Sequence, residues 1–140
     1  MNKITRTLLC TTLALGTAGC ATTQERLLDS DVSQVQIRSI QTRAFDTTDR
    51  ETTLRTVIAT LQDLSFVIDK ADAVLGSVSA TKLDNYSLRM TVTLRPRGES
   101  QLLVRANGQY NIKPVTEPEP YQQFFTSLEK AMFLTAHQVD

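Results

Sequence analysis

The stretch Tyr86-Ser87-Leu88-Arg89-Met90-Thr91-Val92-Thr93-Leu94-Arg95 decides the fold. Tyr86, Leu88, Met90, Val92 and Leu94 alternate with Ser87, Arg89, Thr91, Thr93 and Arg95. Successive strand side chains point to opposite faces, so this strict period of two predicts a strand with one buried face and one wet face. Pro96-Arg97-Gly98-Glu99 reads as a turn. Gln101 to Tyr110 then returns as the hairpin partner, with Leu102, Val104 and Ala106 on one side. Hairpin-length connections between the predicted strands favour an antiparallel sheet.

Toward the N-terminus, Val74 to Lys82 predicts another strand, in which Gly76 marks a bulge or a close helix approach. Phe66-Val67-Ile68-Asp69 is a short strand after Leu64-Ser65, and Asp69-Lys70-Ala71-Asp72 supplies a turn. Thr48-Asp49-Arg50-Glu51 fits a capping box, in which the Thr48 hydroxyl and the Glu51 carboxylate satisfy free N–H groups at a helix start. Leu54, Val57, Ile58 and Leu61 then recur at helical spacing over about sixteen residues. Ile37 to Phe45 reads as a first strand, and the polar residues 21–35 before it as a tether, apart from Leu27 and Leu28.

Toward the C-terminus, Glu117-Pro118-Glu119-Pro120 favours a helix start, since Pro suits the first turn and carboxylates suit the positive end of the dipole. Tyr121, Phe124, Phe125, Leu128 and Met132 form an apolar stripe of a helix running to about Gln138. The predicted order is β-α-β-β-β-β-α. Two amphipathic helices need an apolar surface, and one face of the sheet provides it. The expected fold is therefore an α+β two-layer sandwich, an antiparallel sheet of about four or five strands with two helices on one face.

The 140 residues carry 15 Lys plus Arg and 15 Asp plus Glu, two Cys, one His and no Trp. Neutrality removes the electrostatic grounds for nucleic-acid binding, and ample Leu, Val, Ile and Phe argue against disorder. Lys3 and Arg6 open the chain, a weakly polar run containing Leu8, Leu9, Leu13 and Leu15 follows, and Thr17-Ala18-Gly19 leads into Cys20. That apolar run is shorter than the roughly 20 residues of a membrane span and has the layout of a signal peptide.

On Ala18, Gly19 and Cys20 the sequence resembles bacterial lipoprotein precursors, with Thr17 where their lipobox usually has Leu. The resemblance implies cleavage between Gly19 and Cys20, a diacylglycerol on the Cys20 sulfur and, in many Gram-negative bacteria, an acylated amino group. Residues 1–19 would then be a signal peptide, 20–35 the lipidated Cys and its tether, and 36–140 a periplasmic domain. Ala21 stands where Asp marks inner-membrane retention in the enterobacterial rule, so the implied location is the outer membrane. Two or more acyl chains anchor a protein in practice permanently. Removing Lys3 and Arg6 leaves 13 basic and 15 acidic side chains, a net charge of −2.

Arg43-Ala44-Phe45-Asp46-Thr47-Thr48, Leu61 to Asp69, Leu75-Gly76 and Tyr121-Gln122-Gln123-Phe124-Phe125 resemble small proteobacterial lipoproteins of unassigned function, with Ser65 where Gly is expected. The element order is also similar to the helix-grip domains of BamC, a lipoprotein of the β-barrel assembly machinery. That similarity concerns fold, and fold does not fix function.

Catalytic and metal-binding patterns are not found in the sequence. His137 is the single histidine, and a cation in the last turn of a helix is favoured by the dipole. Ser79 to Lys82 and Ser127 to Lys130 match Ser-x-x-Lys but have no companion motifs. Asp46, Asp49, Glu51, Asp69, Asp72, Glu117 and Glu119 have structural uses as caps and turns. Asn85-Tyr86-Ser87 fits a glycosylation sequon, which has no standard meaning in a bacterium.

No cofactor is expected beyond the covalent lipid on Cys20. The candidate surface is the wet face of the central hairpin, where Arg89, Thr91, Thr93, Arg95 and Arg105 would meet an anionic envelope component. RNA-binding sheets present aromatics there instead. The expected function is a non-catalytic protein-interaction module of a cell-envelope complex, anchored in the outer membrane. The alternative is a lipid or small-molecule binder using a cleft between the final helix and the sheet.

Overall fold

The computed structural model describes residues 33–84 and 86–136. The expected cleavage site at Gly19 and Cys20, most of the tether, Asn85 and His137 lie outside the described residues. The elements in order are α1 (33–40), β1 (Thr42–Phe45), α2 (Arg50–Asp63), β2 (Val67–Asp72), β3 (Ser77–Asp84), β4 (Tyr86–Arg97), β5 (Gln101–Tyr110), β6 (Lys113–Pro114) and α3 (Glu119–Ala136). All strands pair antiparallel in the order β1-β5-β4-β3-β2, and β6 adds to β5 on the side that β1 occupies. The chain is an α+β two-layer sandwich.

The hairpin read first is the centre of the sheet. Leu88, Met90, Val92 and Leu94 of β4 are buried, as are Leu102, Val104 and Ala106 of β5 and Val78 and Ala80 of β3. Leu54, Val57 and Leu61 of α2 and Tyr121, Phe124, Phe125 and Leu128 of α3 close on this surface to form one core. Beside its apolar stripe α2 buries Thr53, Thr56 and Thr60. Their hydroxyls donate to the carbonyls of Asp49, Thr52 and Thr56 four residues back, so no buried O–H is left unmet.

Several boundaries differ from the sequence reading. Residues 33–40 are helical, so the first strand shortens to Thr42–Phe45 and the helix includes part of the expected tether. The imperfect alternation of Ile37 and Ile40 reflects this: both are half-buried on a helix, three residues apart, and Ile40 packs at the margin of the core. The β2–β3 turn falls at 73–76 instead of 69–72, because β2 continues through a bulge between Ile68 and Lys70. β4 runs on to Arg97, past the expected turn at Pro96. The Leu94 N–H reaches the Gly76 carbonyl just before β3 begins. The N–H that Pro96 lacks would point to that same side, where β3 has already ended, so proline costs no ladder bond there.

The start of α2 is capped one residue later than expected. Asp49, in place of Thr48, accepts from the Thr52 N–H at 3.0 Å and the Thr52 hydroxyl at 2.6 Å. These bonds hold the Asp49 carboxyl below its ordinary pKa of 3.8. Glu51 does not return to the cap and pairs with Arg55 at 2.6 Å along the helix surface.

The end of α2 explains Ser65. The Phe66 N–H donates to the Leu61 carbonyl and the Ser65 N–H to the Gln62 carbonyl, both at 2.9 Å, which is a Schellman closure. That closure places Ser65 at φ 68°, a left-handed conformation that glycine adopts without steric cost. Ser65→Gly is therefore expected to stabilise the domain by about 1 kcal/mol, seen as a higher urea midpoint at unchanged slope. A lower midpoint would show that the Ser65 side chain contributes more than its backbone costs.

Of the two expectations for Gly76 the close helix approach is met and the bulge is not, since Gly76 lies in the turn before β3 and the bulge falls between Ile68 and Lys70. Gly76 has φ 65°, and a Cβ there would lie 2.5–2.9 Å from the guanidinium of Arg50, in the first turn of α2. Arg50 Nη2 donates to the Val74 carbonyl at 2.8 Å and ties the helix start to the β2–β3 turn.

Candidate functional site

The helices cover one face of the sheet, and alternation in β4 directs Arg89, Thr91, Thr93 and Arg95 to the other. The register places Arg105 opposite Thr93, Leu103 opposite Arg95, Asn107 opposite Thr91 and Gln109 opposite Arg89. β3 continues these rows with Ser77 opposite Thr93, Ser79 opposite Thr91 and Thr81 opposite Arg89. The result is a surface of hydroxyl, amide and guanidinium groups. Arg89 and Arg95 are exposed, while Thr91, Thr93 and Arg105 are half-buried.

All five expected residues therefore share one face, but they do not form one cluster. Six residues of strand separate Arg89 from Arg95, about 20 Å at the usual strand rise. Arg95 and Arg105 are diagonal neighbours across the β4–β5 pair, about 7–8 Å apart. The longer β4 carries Arg97 to the same face, opposite Gln101. Sequence reading missed Arg97 because Pro96 was assigned to a turn, although the odd-numbered alternation already extended to it. The working cationic group is thus Arg95, Arg97 and Arg105 near the hairpin end, with Arg89 separate.

None of these guanidiniums forms an ion pair among the described residues, and Gln101, which stands opposite Arg97, donates to the Asp46 carboxylate. The ion pairs among the described residues are Arg43–Glu129 at 4.0 Å and Arg55–Glu51. Arg105 Nε is buried and makes no hydrogen bond in the described structure. Arg43 is turned to the helix side, where its guanidinium lies 5.2 Å from the centre of the Phe125 ring. The carboxylates of β2 are engaged locally: Asp69 accepts from the Thr81 hydroxyl at 2.6 Å and Asp72 from the Leu75 N–H at 2.8 Å.

The face offers donors for an anion but no paired nucleophile and base. Ser79 and Lys82 sit on opposite faces of β3, as an odd spacing in a strand requires. The Ser79 hydroxyl bonds that of Thr91 at 3.2 Å. Among the described residues no three His, Cys, Asp or Glu side chains come together as metal ligands.

A second opening lies at the other end of the sheet, where α3 begins. It is a recess of about 210 Å³ walled by Lys82, Asp84, Tyr86, Tyr110, Glu117 and Glu119. Burial, the adjacent Tyr86 and the charges of Glu117 and Glu119 push the Tyr110 phenol above its ordinary pKa of 10.0.

Fold and surface together define a class, a two-layer α+β domain in which the described residues fill the core and leave one polar sheet face uncovered. No model of a known protein family matches the chain, and no curated protein matches it. Among the described residues no helix is long and apolar enough to cross a membrane.

Proposed function

We propose that the chain is an outer-membrane-anchored lipoprotein whose domain is a non-catalytic interaction module of a cell-envelope complex. The observation that carries this reading is the polar sheet face on which Arg95, Arg97 and Arg105 form no ion pair among the described residues. Guanidinium groups left unpaired on a rigid sheet suit carboxylate or phosphate groups of a partner, which they can grip with paired N–H donors. The sheet fixes their spacing in advance, so little ordering is needed on docking.

The lipid-binding alternative needs an apolar cavity of at least about 300 Å³. The recess beside α3 is smaller and lined by charges, and the core beneath it is filled by Tyr121, Phe124 and Phe125. Both points favour the interaction reading. The covalent lipid on Cys20, cleavage after Gly19 and the outer-membrane location belong to the same proposal and rest on the lipobox residues.

Charge reversal on the face tests it. Arg95→Glu with Arg105→Glu is expected to weaken capture of the envelope partner by at least about tenfold. Arg105 is half-buried, so Arg89→Glu with Arg95→Glu serves as the companion variant on two exposed positions. Unchanged partners and envelope phenotype in both folded variants would remove the arginine face from the function.

A further inference from the structure

The recess at the start of α3 differs in chemistry from the arginine face. It sets Asp84, Glu117 and Glu119 around one cation, Lys82. None of these four side chains forms an ion pair among the described residues, and a further cation on that face is Lys113, opposite Tyr110. The carboxylates are not grouped as metal ligands, which points to an organic cation spread over a wider recess.

Two tyrosines supply the rest of the wall. The rings of Tyr86 and Tyr110 lie edge to face, with centroids 4.8 Å apart and planes at 85°. In such a pair the ring that offers its edge keeps its π faces free, and these attract cations. Tyr86 is 55% exposed, so its ring is accessible. The Tyr110 phenol is neutral near pH 7, as tyrosine ordinarily is, and can donate a hydrogen bond. The turn between β5 and β6 at the same end of the sheet carries Ile112, 89% exposed, as apolar surface for the stem of a long side chain.

Size limits the occupant. At about 210 Å³ the recess is below the usual range for whole small-molecule ligands, roughly 300–1,000 Å³, and admits a group the size of one side chain. We propose that the recess seats a lysine or arginine side chain from an extended basic segment of a partner protein. The inference rests on the interaction-module reading only in taking the cation from a protein. It uses a surface separate from the arginine face, so either can fail alone.

The test uses the full chain, labelled with nitrogen-15 and titrated at low salt with three capped tripeptides: Gly-Lys-Gly, Gly-Arg-Gly and the uncharged Gly-norleucine-Gly. Saturable shifts at Tyr86, Tyr110 and Gln123 are expected with the two cationic peptides and not with norleucine. Glu117→Gln with Glu119→Gln, both at exposed positions, is expected to weaken them about tenfold while the rest of the spectrum is unchanged. No localised shift, an equal response to norleucine, or a response unaffected by the double variant would overturn the proposal. Binding of free 1,5-diaminopentane with no response to either cationic peptide would also overturn it, by assigning the recess to a small amine.

Discussion

Tyr121→Phe is expected to destabilise the domain by about 2–4 kcal/mol, although it removes a single oxygen. That oxygen is the centre of a buried junction. The Tyr121 hydroxyl accepts from the Gly108 N–H and from Gln41 Nε2, both at 3.1 Å, and donates to the Val115 carbonyl at 2.9 Å. All four residues are buried.

The edge of β5 explains why a hydroxyl is needed there. β1 pairs with Leu102 to Arg105, and the Gln41 carbonyl takes the Ala106 N–H. β6 pairs with Gln109 and Tyr110, and the Val115 N–H takes the Gly108 carbonyl. Between the two edge segments the Gly108 N–H has no strand partner, and Tyr121 fills the gap. Phenylalanine would keep the ring in the core and leave a donor, an acceptor and an amide unmet, each costing about 1–3 kcal/mol before relaxation and water entry. Chemical denaturation of both proteins reads the loss directly. A change below about 0.5 kcal/mol would mean that the junction contributes nothing net.

Gly108→Ala is the second large effect, at about 1–3 kcal/mol. A Cβ at Gly108 would lie 3.1 Å from Val115 Cγ2 and 3.2 Å from the Tyr121 hydroxyl oxygen. Neither neighbour has room to withdraw, since Val115 and Tyr121 are fully buried. Because the added methyl presses on the oxygen that Tyr121→Phe removes, the double variant is expected to cost less than the sum of the two. Strict additivity would show that the methyl is accommodated elsewhere. The junction also fixes where α3 starts, and so sets the position of Glu117 and Glu119 beside the recess.

The sheet was legible in the sequence where one physical signal dominated. Strict alternation gave β4 its faces, and Gln101–Tyr110 has the expected bounds. The stripe from Tyr121 to Leu128 is buried as its spacing required. Errors arose where a local signal competed with tertiary pairing. Pro96 resembles a turn residue but lies where β4 is paired on the β5 side only, and Asp69-Lys70-Ala71-Asp72 resembles a turn but lies in a bulged edge strand. Charges and a bulge on such an edge also hinder pairing with other chains.

The arginine face was legible from parity alone, apart from Arg97. Its division into Arg89 and a distant trio depended on register, which one strand does not specify. The recess brings together β3, β4, β5 and the approach to α3, so Tyr86, Tyr110, Glu117 and Glu119 meet only after folding. Tyr121 was expected in the core as an aromatic, but its hydroxyl role depends on two edge segments, one of which, β6, has only two residues.

The proposed membrane location depends on Cys20, and metabolic labelling with an alkynyl fatty acid is the most direct test. The wild-type chain is expected to take up label and to fractionate with the outer membrane, while Cys20→Ala takes up none and leaves the membrane fraction. Undiminished labelling of Cys20→Ala would contradict the lipoprotein assignment.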